Sequence, residues 1–212
     1  MKIAVIDYGM GNLQSVLNAF QAVGKDLLVA RTPKEMVGAD AFVLPGVGAF
    51  GDCMRNLHSA GLDEAVLSAL SAGKPYLGIC LGLQILFEES EEFGRTPGLA
   101  HLEGKVVPFE KGLRDDKGAR LKVPHMGWNE IRKESVTPAL EGVPDGAHFY
   151  FVHSYRVVPE GANLVTTTTD YGLEFVSSIA KENVFGCQFH PERSGPMGLR
   201  VLENFVKWAT KN

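Results

Sequence analysis

The stretch that decides the fold is Pro75-Tyr76-Leu77-Gly78-Ile79-Cys80-Leu81-Gly82-Leu83-Gln84-Ile85-Leu86. Its apolar run at residues 76–79 predicts a buried strand, and the apolar spacing of residues 83–87 predicts a helix directly after it. The Gly-x-Cys-x-Gly sequence in between indicates a sharp turn with Cys80 at its apex. We expect Gly78 and Gly82 to flank this turn because backbone segments approach closely there and a Cβ would not fit.

Cys80 is the first candidate functional residue. A lone buried cysteine is most often a small apolar filler of the core. At the start of a helix, however, free N–H groups and the helix dipole favour the thiolate, which is the reactive form. The paired glycines around the turn therefore favour a nucleophile at Cys80.

Composition limits the classes of protein to which this chain can belong. The chain has 212 residues, and we expect residues 1–212 to form one domain. Its 21 Lys and Arg residues against 25 Asp and Glu residues give a formal charge of −4, and no basic stripe indicates nucleic-acid binding. The apolar run at residues 3–6 is too short for a signal peptide or a membrane span, so we expect a cytoplasmic protein. Three cysteines, an odd number, favour reduced thiols.

Short apolar runs alternate with helical patterns in the first half of the chain. This alternation predicts an α/β fold, with a mostly parallel central sheet flanked by helices. The expected strands are residues 2–6, 26–30, 41–44 and 76–79, and the expected helices start near residues 13, 33, 50 and 62. Ligands of such sheets bind at the carboxyl ends of the strands, so we expect Gly46, Gly48 and Cys80 to share one site.

The second half of the chain predicts additional antiparallel β elaborations and a closing helix. Residues 94–104 have the composition of a loop. The expected strands are residues 105–109, 121–123, 127–131, 148–155, 164–169, 175–180 and 184–189, and the amphipathic closing helix is residues 199–209.

Two further motifs suggest other classes of protein. Gly9-x-Gly11 follows the first strand, as in a nucleotide-binding regulatory domain, but the third glycine of that fingerprint is Gln14 here. Cys187-x-x-His190 could be half of a zinc site, yet no second Cys/His pair has usable spacing. We therefore expect no cofactor and no metal.

The thiol of Cys80 needs a base and a group that orients the base. His190 follows the strand expected at residues 184–189, and Pro191 forces the chain out of the ladder there. Residues two apart in extended chain project to the same side, so Glu192 could hold the His190 imidazole. An isolated His-Pro-Glu string is usually a surface histidine beside a solvated carboxylate. Together with the Cys80 turn it predicts a triad of Cys80, His190 and Glu192.

With these motifs in place, the chain resembles the class I, triad-type glutamine amidotransferases over essentially its whole length. The motifs that carry this resemblance are Pro45-Gly46-Val47-Gly48, Gly78-Ile79-Cys80-Leu81-Gly82-Leu83-Gln84 and His190-Pro191-Glu192. Segments 7–12, 46–50, 123–129 and 150–155 further resemble the glutaminase subunits of imidazole glycerol phosphate synthase, from histidine biosynthesis. Arg193 stands where that family is expected to have Lys, which preserves a cation.

The resemblance implies a glutaminase that forms a thioester on Cys80, with His190 as acid and base and Glu192 holding the imidazole. It implies substrate binding by Gly46, Val47, Gly48, Leu81, Gln84, Ser154 and Tyr155. It also suggests a partner interface at Met10, Asn12, His125, Trp128 and Tyr150. Trp128 and Tyr150 could instead be core residues.

The implied partner is a (β/α)₈-barrel cyclase in a heterodimer. In that family the cyclase uses ammonia to convert a ribulosyl-aminoimidazole-carboxamide ribotide (PRFAR) to imidazole glycerol phosphate and an aminoimidazole carboxamide ribotide (AICAR). Ammonia released into water would be protonated and lost as a nucleophile, which is the physical reason to expect a partner. Two alternatives remain open: a glutaminase subunit for another acceptor, such as anthranilate synthase, and a stand-alone γ-glutamyl hydrolase.

Overall fold

The computed structural model describes residues 1–211, in which strands and helices alternate first and strands dominate afterwards. In chain order the elements are β1 (Ile3–Ile6), α1 (Leu13–Ala22), β2 (Leu27–Ala30), α2 (Pro33–Met36), β3 (Ala41–Gly46), α3 (Phe50–Ser59), α4 (Leu62–Ser71), β4 (Tyr76–Cys80), α5 (Leu81–Gln84), β5 (Phe87–Ser90), β6 (Thr96–Pro97), β7 (Leu102–Pro108), β8 (His125–Glu130), β9 (Arg132–Lys133), β10 (His148–His153), β11 (Tyr155–Pro159), β12 (Val165–Asp170), β13 (Glu174–Lys181), β14 (Val184–Cys187) and α6 (Gly195–Lys211).

The central sheet has the strand order β2-β1-β3-β4-β14-β13-β12-β9. Its first five strands run parallel, and the last three continue it antiparallel. The predicted mostly parallel sheet is therefore confirmed. The strand β4 lies between β3 and β14 and runs parallel to both. The carboxyl ends of the three strands, with Gly46, Cys80 and the segment that follows Cys187, therefore lie at the same edge of the sheet.

Helices cover both faces of the parallel part, which explains why its strands are apolar without alternation. Val5 and Val43 pack on the face that carries α1 and α6, while Phe42 and Leu44 pack on the face that carries α3 and α4. No helix within residues 1–211 has both the length and the apolar character needed to cross a membrane.

Two smaller β units complete the fold. One is a sheet of order β11-β7-β5-β6, and the other is the antiparallel pair of β8 and β10, here called the ribbon. The prediction of one strand at residues 148–155 is therefore wrong in one respect. The chain breaks at Ser154 into β10 and β11, which belong to different sheets.

Other segments also differ from the sequence prediction. The helix after Cys80 ends at Gln84, and Phe87 already begins β5. Residues 81–87 are all buried, so their apolar spacing could not distinguish a helix face from a strand. The loop expected at residues 94–104 contains β6 and the start of β7. Residues 121–123 form no strand, because Leu121 and Lys122 make single hydrogen bonds to loop segments instead of a ladder.

Candidate active site

The turn at Cys80 is strained and closely packed. Cys80 ends β4 with φ of 54° and ψ of −103°, a region that residues with side chains rarely occupy. A Cβ on Gly78 would overlap the Gly82 carbonyl, and a Cβ on Gly82 would overlap the Leu44 carbonyl. The close approach expected from the two glycines is thus confirmed. Strain of this kind persists where the surrounding structure holds a group in one fixed place.

His190 lies just beyond β14, the strand next to β4. Its Nδ1 is 2.8 Å from Glu192 Oε1, and the two side chains are only 3% and 4% exposed. The Ser194 hydroxyl donates to the His190 carbonyl at 2.6 Å and accepts from the Tyr150 N–H at 3.0 Å. These bonds tie the His190 segment to β10 and bring Glu192 to the imidazole.

The charge of His190 is set by opposing effects. Burial alone would lower its pKa. The interactions with Cys80 and, to a smaller extent, with Glu192 outweigh burial and raise the pKa to about 10. Nδ1 contacts Glu192, while Nε2 is buried without a hydrogen-bond partner among residues 1–211. These interactions favour the imidazolium form of His190.

A cavity of about 400 Å³ opens beside Cys80. It is lined by every candidate substrate residue except Gly46, which lies behind it at the end of β3. The lining also includes residues to which sequence reasoning gave no substrate role: Glu92, Pro124, Val152, His153 and Arg193. Glu92 stands in an acidic run without a motif, so nothing in the sequence singled it out. In the fold its carboxylate accepts from the Phe50 N–H at 2.5 Å.

Gln84 presents one defined atom to this cavity. Its Nε2 donates to the Tyr155 carbonyl and to Gln188 Oε1, both at 3.0 Å. A backbone carbonyl can only accept, so this contact fixes which end of the Gln84 amide carries the protons. Both protons are used there, which leaves Gln84 Oε1, an acceptor, for a ligand.

The loop after β3 is shaped by two close contacts. A Cβ on Gly46 would overlap the Tyr8 hydroxyl and lie 2.8 Å from Leu81 Cβ. Gly48 has φ of 104°, and a Cβ there would lie 2.5 Å from Met10 Cε. The loop with the candidate oxyanion donors is therefore packed against Tyr8 and Met10, and glycine is required at both positions.

The outer face of the ribbon is exposed and apolar. Trp128 is 56% exposed and Met126 is 61% exposed, so Trp128 is not a core residue. Trp128 meets the half-buried Tyr150 edge to face with ring centroids 6.2 Å apart, and the Arg193 guanidinium lies 4.1 Å from the centre of the Tyr150 ring. Val152, opposite Met126 in the ribbon, lines the cavity. This apolar face therefore adjoins the cavity mouth.

His125 occupies the inner face of the ribbon. It is 2% exposed, and its ring stacks on Tyr171 and Phe151 with centroids 4.0 and 4.9 Å apart. The expectation that its side chain contacts a partner is corrected, because strand alternation turns it inward. Asn12, by contrast, is exposed at the start of α1, and Met10 is half-buried.

The other cysteines do not resemble Cys80. All three are free thiols. Burial raises the pKa of Cys53 to about 12 and that of Cys187 well above its ordinary value, so neither is a reactive thiolate. Within residues 1–211, no group of three or more His, Cys, Asp or Glu side chains is arranged to hold a metal ion.

Comparison with known proteins defines the class. The model of the family "Glutamine amidotransferase class-I" matches residues 4–208. A solved structure described as a crystal structure of glutamine amidotransferase shares the fold, with a TM-score of 0.76, 18% identity and coverage of 99% of this chain and 100% of the other. The chain belongs to the class I glutamine amidotransferases.

Curated relatives narrow the class to one family. Imidazole glycerol phosphate synthase subunit HisH of Geobacter sulfurreducens is 48% identical over 204 residues, which cover 96% of this chain and 97% of the relative. The HisH subunit of Syntrophotalea carbinolica is 51% identical over 203 residues, with coverage of 96% and 98%. Within its class, the chain is a member of the HisH family, and the resemblance stated from its motifs is confirmed.

Proposed function

We propose that this chain is the glutaminase subunit of an imidazole glycerol phosphate synthase, and that Cys80, His190 and Glu192 hydrolyse glutamine to glutamate and ammonia. The observation that carries the proposal is a strained cysteine coupled to a buried His–Glu pair at the wall of a cavity. Membership of the HisH family supports the same reaction.

The first half of the reaction forms a thioester. The Cys80 thiolate attacks the side-chain amide carbon of glutamine, and the carbonyl oxygen becomes an oxyanion. Backbone N–H groups of Leu81 and of the loop at residues 46–48 stabilise that oxyanion. His190 gives its proton to the departing nitrogen, so ammonia leaves and a γ-glutamyl thioester remains.

The second half releases glutamate. The now neutral His190 takes a proton from a water molecule, whose oxygen attacks the thioester carbon. The C–S bond breaks, glutamate leaves, and the thiolate and imidazolium are restored. Glu192 orients the imidazole throughout and stabilises its charged form.

Polar groups around the cavity suit the amino-acid end of glutamine. Its α-ammonium can only donate, which matches Gln84 Oε1 and the Glu92 carboxylate. Its α-carboxylate can only accept, which matches backbone N–H groups at Ser154 and Tyr155. Glu92 is thus a substrate-binding residue that the motifs did not reveal.

The same reasoning assigns the outer face of the ribbon to a partner. Exposed Met126 and Trp128 form an apolar surface next to the cavity mouth, and aromatic residues are frequent anchors of protein interfaces. The partner is a (β/α)₈-barrel cyclase that uses the ammonia on PRFAR, and Met10, Asn12 and Tyr150 extend the contact. This chemistry takes place in the cytoplasm during histidine biosynthesis.

The experiment compares two nitrogen sources in the complex with the cyclase. Cys80→Ala should abolish product formation from glutamine while leaving formation from ammonium salts intact. Cys53→Ala is the matched control and should keep both. Glutamine-dependent activity in the Cys80 variant would contradict the mechanism.

Two further measurements separate the alternatives. Release of glutamate from γ-glutamyl peptides by the isolated chain, at a rate above that from glutamine, would favour a stand-alone γ-glutamyl hydrolase. Stable binding to a chorismate-binding subunit and none to the cyclase would favour anthranilate synthase.

A further inference from the structure

Gln188 is a buried amide beside Cys80 to which the mechanism above gives no role. It follows β14, is completely buried, and its backbone N–H donates to the Ser177 carbonyl at 2.8 Å. Its side-chain Nε2 lies 3.4 Å from Cys80 Sγ, and its Oε1 accepts from Gln84 Nε2 at 3.0 Å. The Val152 carbonyl, another polar group near the sulfur, is 4.0 Å away.

The direction of these hydrogen bonds is fixed by one backbone carbonyl. The Tyr155 oxygen can only accept, so the end of Gln84 that contacts it carries the protons. That same nitrogen meets Gln188, so the facing atom of Gln188 must be its oxygen. The remaining end of Gln188, which faces Cys80, is therefore an N–H donor.

We propose that Gln188 is a positioning residue that holds the Cys80 sulfur through this N–H donor and links it to Gln84. An N–H aimed at sulfur favours the thiolate over the thiol. Rotation of the Gln188 amide would break both of its hydrogen bonds, so the pair of glutamines restrains the nucleophile relative to the substrate-binding group. The link to glutamine rests on the proposed function, whereas the effect on the sulfur does not.

The alternative is that Gln188 only fills space in the core. Such a role would leave the chemistry of the thiol unchanged, so the test measures the sulfur directly. The probe is iodoacetamide, applied to the full chain over a range of pH without glutamine. Cys53 and Cys187 should not react with iodoacetamide because burial raises the pKa of each thiol. The Cys80→Ala variant measures the background alkylation.

Gln188→Met keeps the length of the side chain but replaces the amide by an apolar group, which removes both hydrogen bonds. The alkylation midpoint is the pH at which the rate of Cys80 alkylation is half its maximum. Loss of the Gln188 N–H donor to the sulfur should shift this midpoint upward by about one pH unit. His190, Tyr8 and Cys187, the titratable groups coupled to Cys80, are the same in both proteins. Thr166→Val is the matched control: it removes a buried hydrogen bond to Ser178 away from the cavity and should leave the midpoint unchanged.

Steady-state glutamine hydrolysis gives a second measurement. Gln188→Met should lower kcat/KM about tenfold at neutral pH, with lower kcat from the sulfur and higher KM from a loosened Gln84. Gln84→Met should also raise the alkylation midpoint, although Gln84 makes no hydrogen bond to the sulfur, because it frees the Gln188 amide.

An unchanged midpoint in folded Gln188→Met overturns the proposal. If that variant does not fold, an unchanged midpoint in Gln84→Met overturns it instead. If the wild-type chain does not hydrolyse glutamine but the midpoint still shifts, the proposed function fails while the positioning of Cys80 by Gln188 stands.

Discussion

Mild acid should destabilise this fold through two buried histidines. His125 Nδ1 lies 3.1 Å from His153 Nε2, and His153 Nδ1 donates to the Tyr155 carbonyl at 2.9 Å. The carbonyl fixes the tautomers: His153 Nε2 accepts from His125 Nδ1, and His125 Nε2 accepts from Asn129 Nδ2 at 3.3 Å. Both rings are neutral, and a further proton on either ring would face another N–H donor.

The size of the effect follows from the pKa values. Burial lowers the pKa of His125 to about 4, and burial, as the main cause, lowers that of His153 to about 3. In the unfolded chain both would titrate at about pH 6.5. The unfolded state therefore binds more protons below that pH, and the free energy of unfolding falls as the pH drops. At pH 5 each histidine costs the folded state about 2 kcal/mol, and the pair about 4 kcal/mol.

Urea unfolding at pH 7.5 and at pH 5.0 measures this loss, and a double variant isolates it. His125→Phe with His153→Phe keeps aromatic rings in the cluster around Phe109 and Phe175 but removes the titration. His190, His58 and His101 remain in both proteins, so their contributions cancel in the difference. The wild type should lose about 4 kcal/mol more than the double variant between the two pH values.

The control is His148→Phe at the exposed start of β10, which removes one histidine that lies outside the buried pair. It should keep the wild-type pH dependence. Equal losses of stability in the wild type and the double variant would refute the neutral histidine pair.

Three further predictions concern the triad, the outer face of the ribbon and the turn at Cys80. Glu192→Gln should lower kcat for glutamine hydrolysis by roughly 100-fold or more, because the imidazolium loses its buried carboxylate; a near-normal kcat would contradict the triad. Trp128→Ala should weaken binding to the proposed cyclase partner by about 2 kcal/mol in calorimetry, while hydrolysis by the isolated chain stays within twofold of wild type. Gly82→Ala should lower the free energy of unfolding by about 3 kcal/mol or more, since the new Cβ overlaps the Leu44 carbonyl; an unchanged urea midpoint would show that the turn can relax.

Much of the parallel sheet could be predicted because its strands are short, continuous apolar runs. The turn at Cys80 could be predicted for a related reason: two glycines at fixed offsets have few uses other than close backbone approach. The helix after the turn was predicted too long, since residues 81–87 are buried on all sides and carry no amphipathic signal. Local sequence patterns therefore predict strands that are buried on both faces. They fail for a segment such as residues 81–87, which would be buried both as a helix and as a strand.

The cavity could be predicted only in part. Cys80, His190 and the loop at residues 46–48 carry motifs, whereas Glu92 and Gln188 do not. Both reach the site through pairings distant in sequence: Glu92 through the Phe50 N–H, and Gln188 through Gln84 and the sulfur. A contact between residues that far apart leaves no trace in a single sequence, so only the fold could reveal these two residues.

Strand alternation gives the ribbon two faces of different character. Residues 125, 127 and 129 face one way on β8, and residues 126 and 128 face the other. His125 and Trp128 therefore cannot serve the same surface, and the exposed Trp128 fixes which face is outside. The two faces of β8 therefore differ: the inner face carries His125, whose partner His153 on β10 contacts the Tyr155 carbonyl at the cavity, and the outer face carries the apolar residues proposed to bind a partner. Substitutions at positions 126 and 128 should change binding to the proposed partner. Substitutions at position 125 should change the cavity and the stability of the fold.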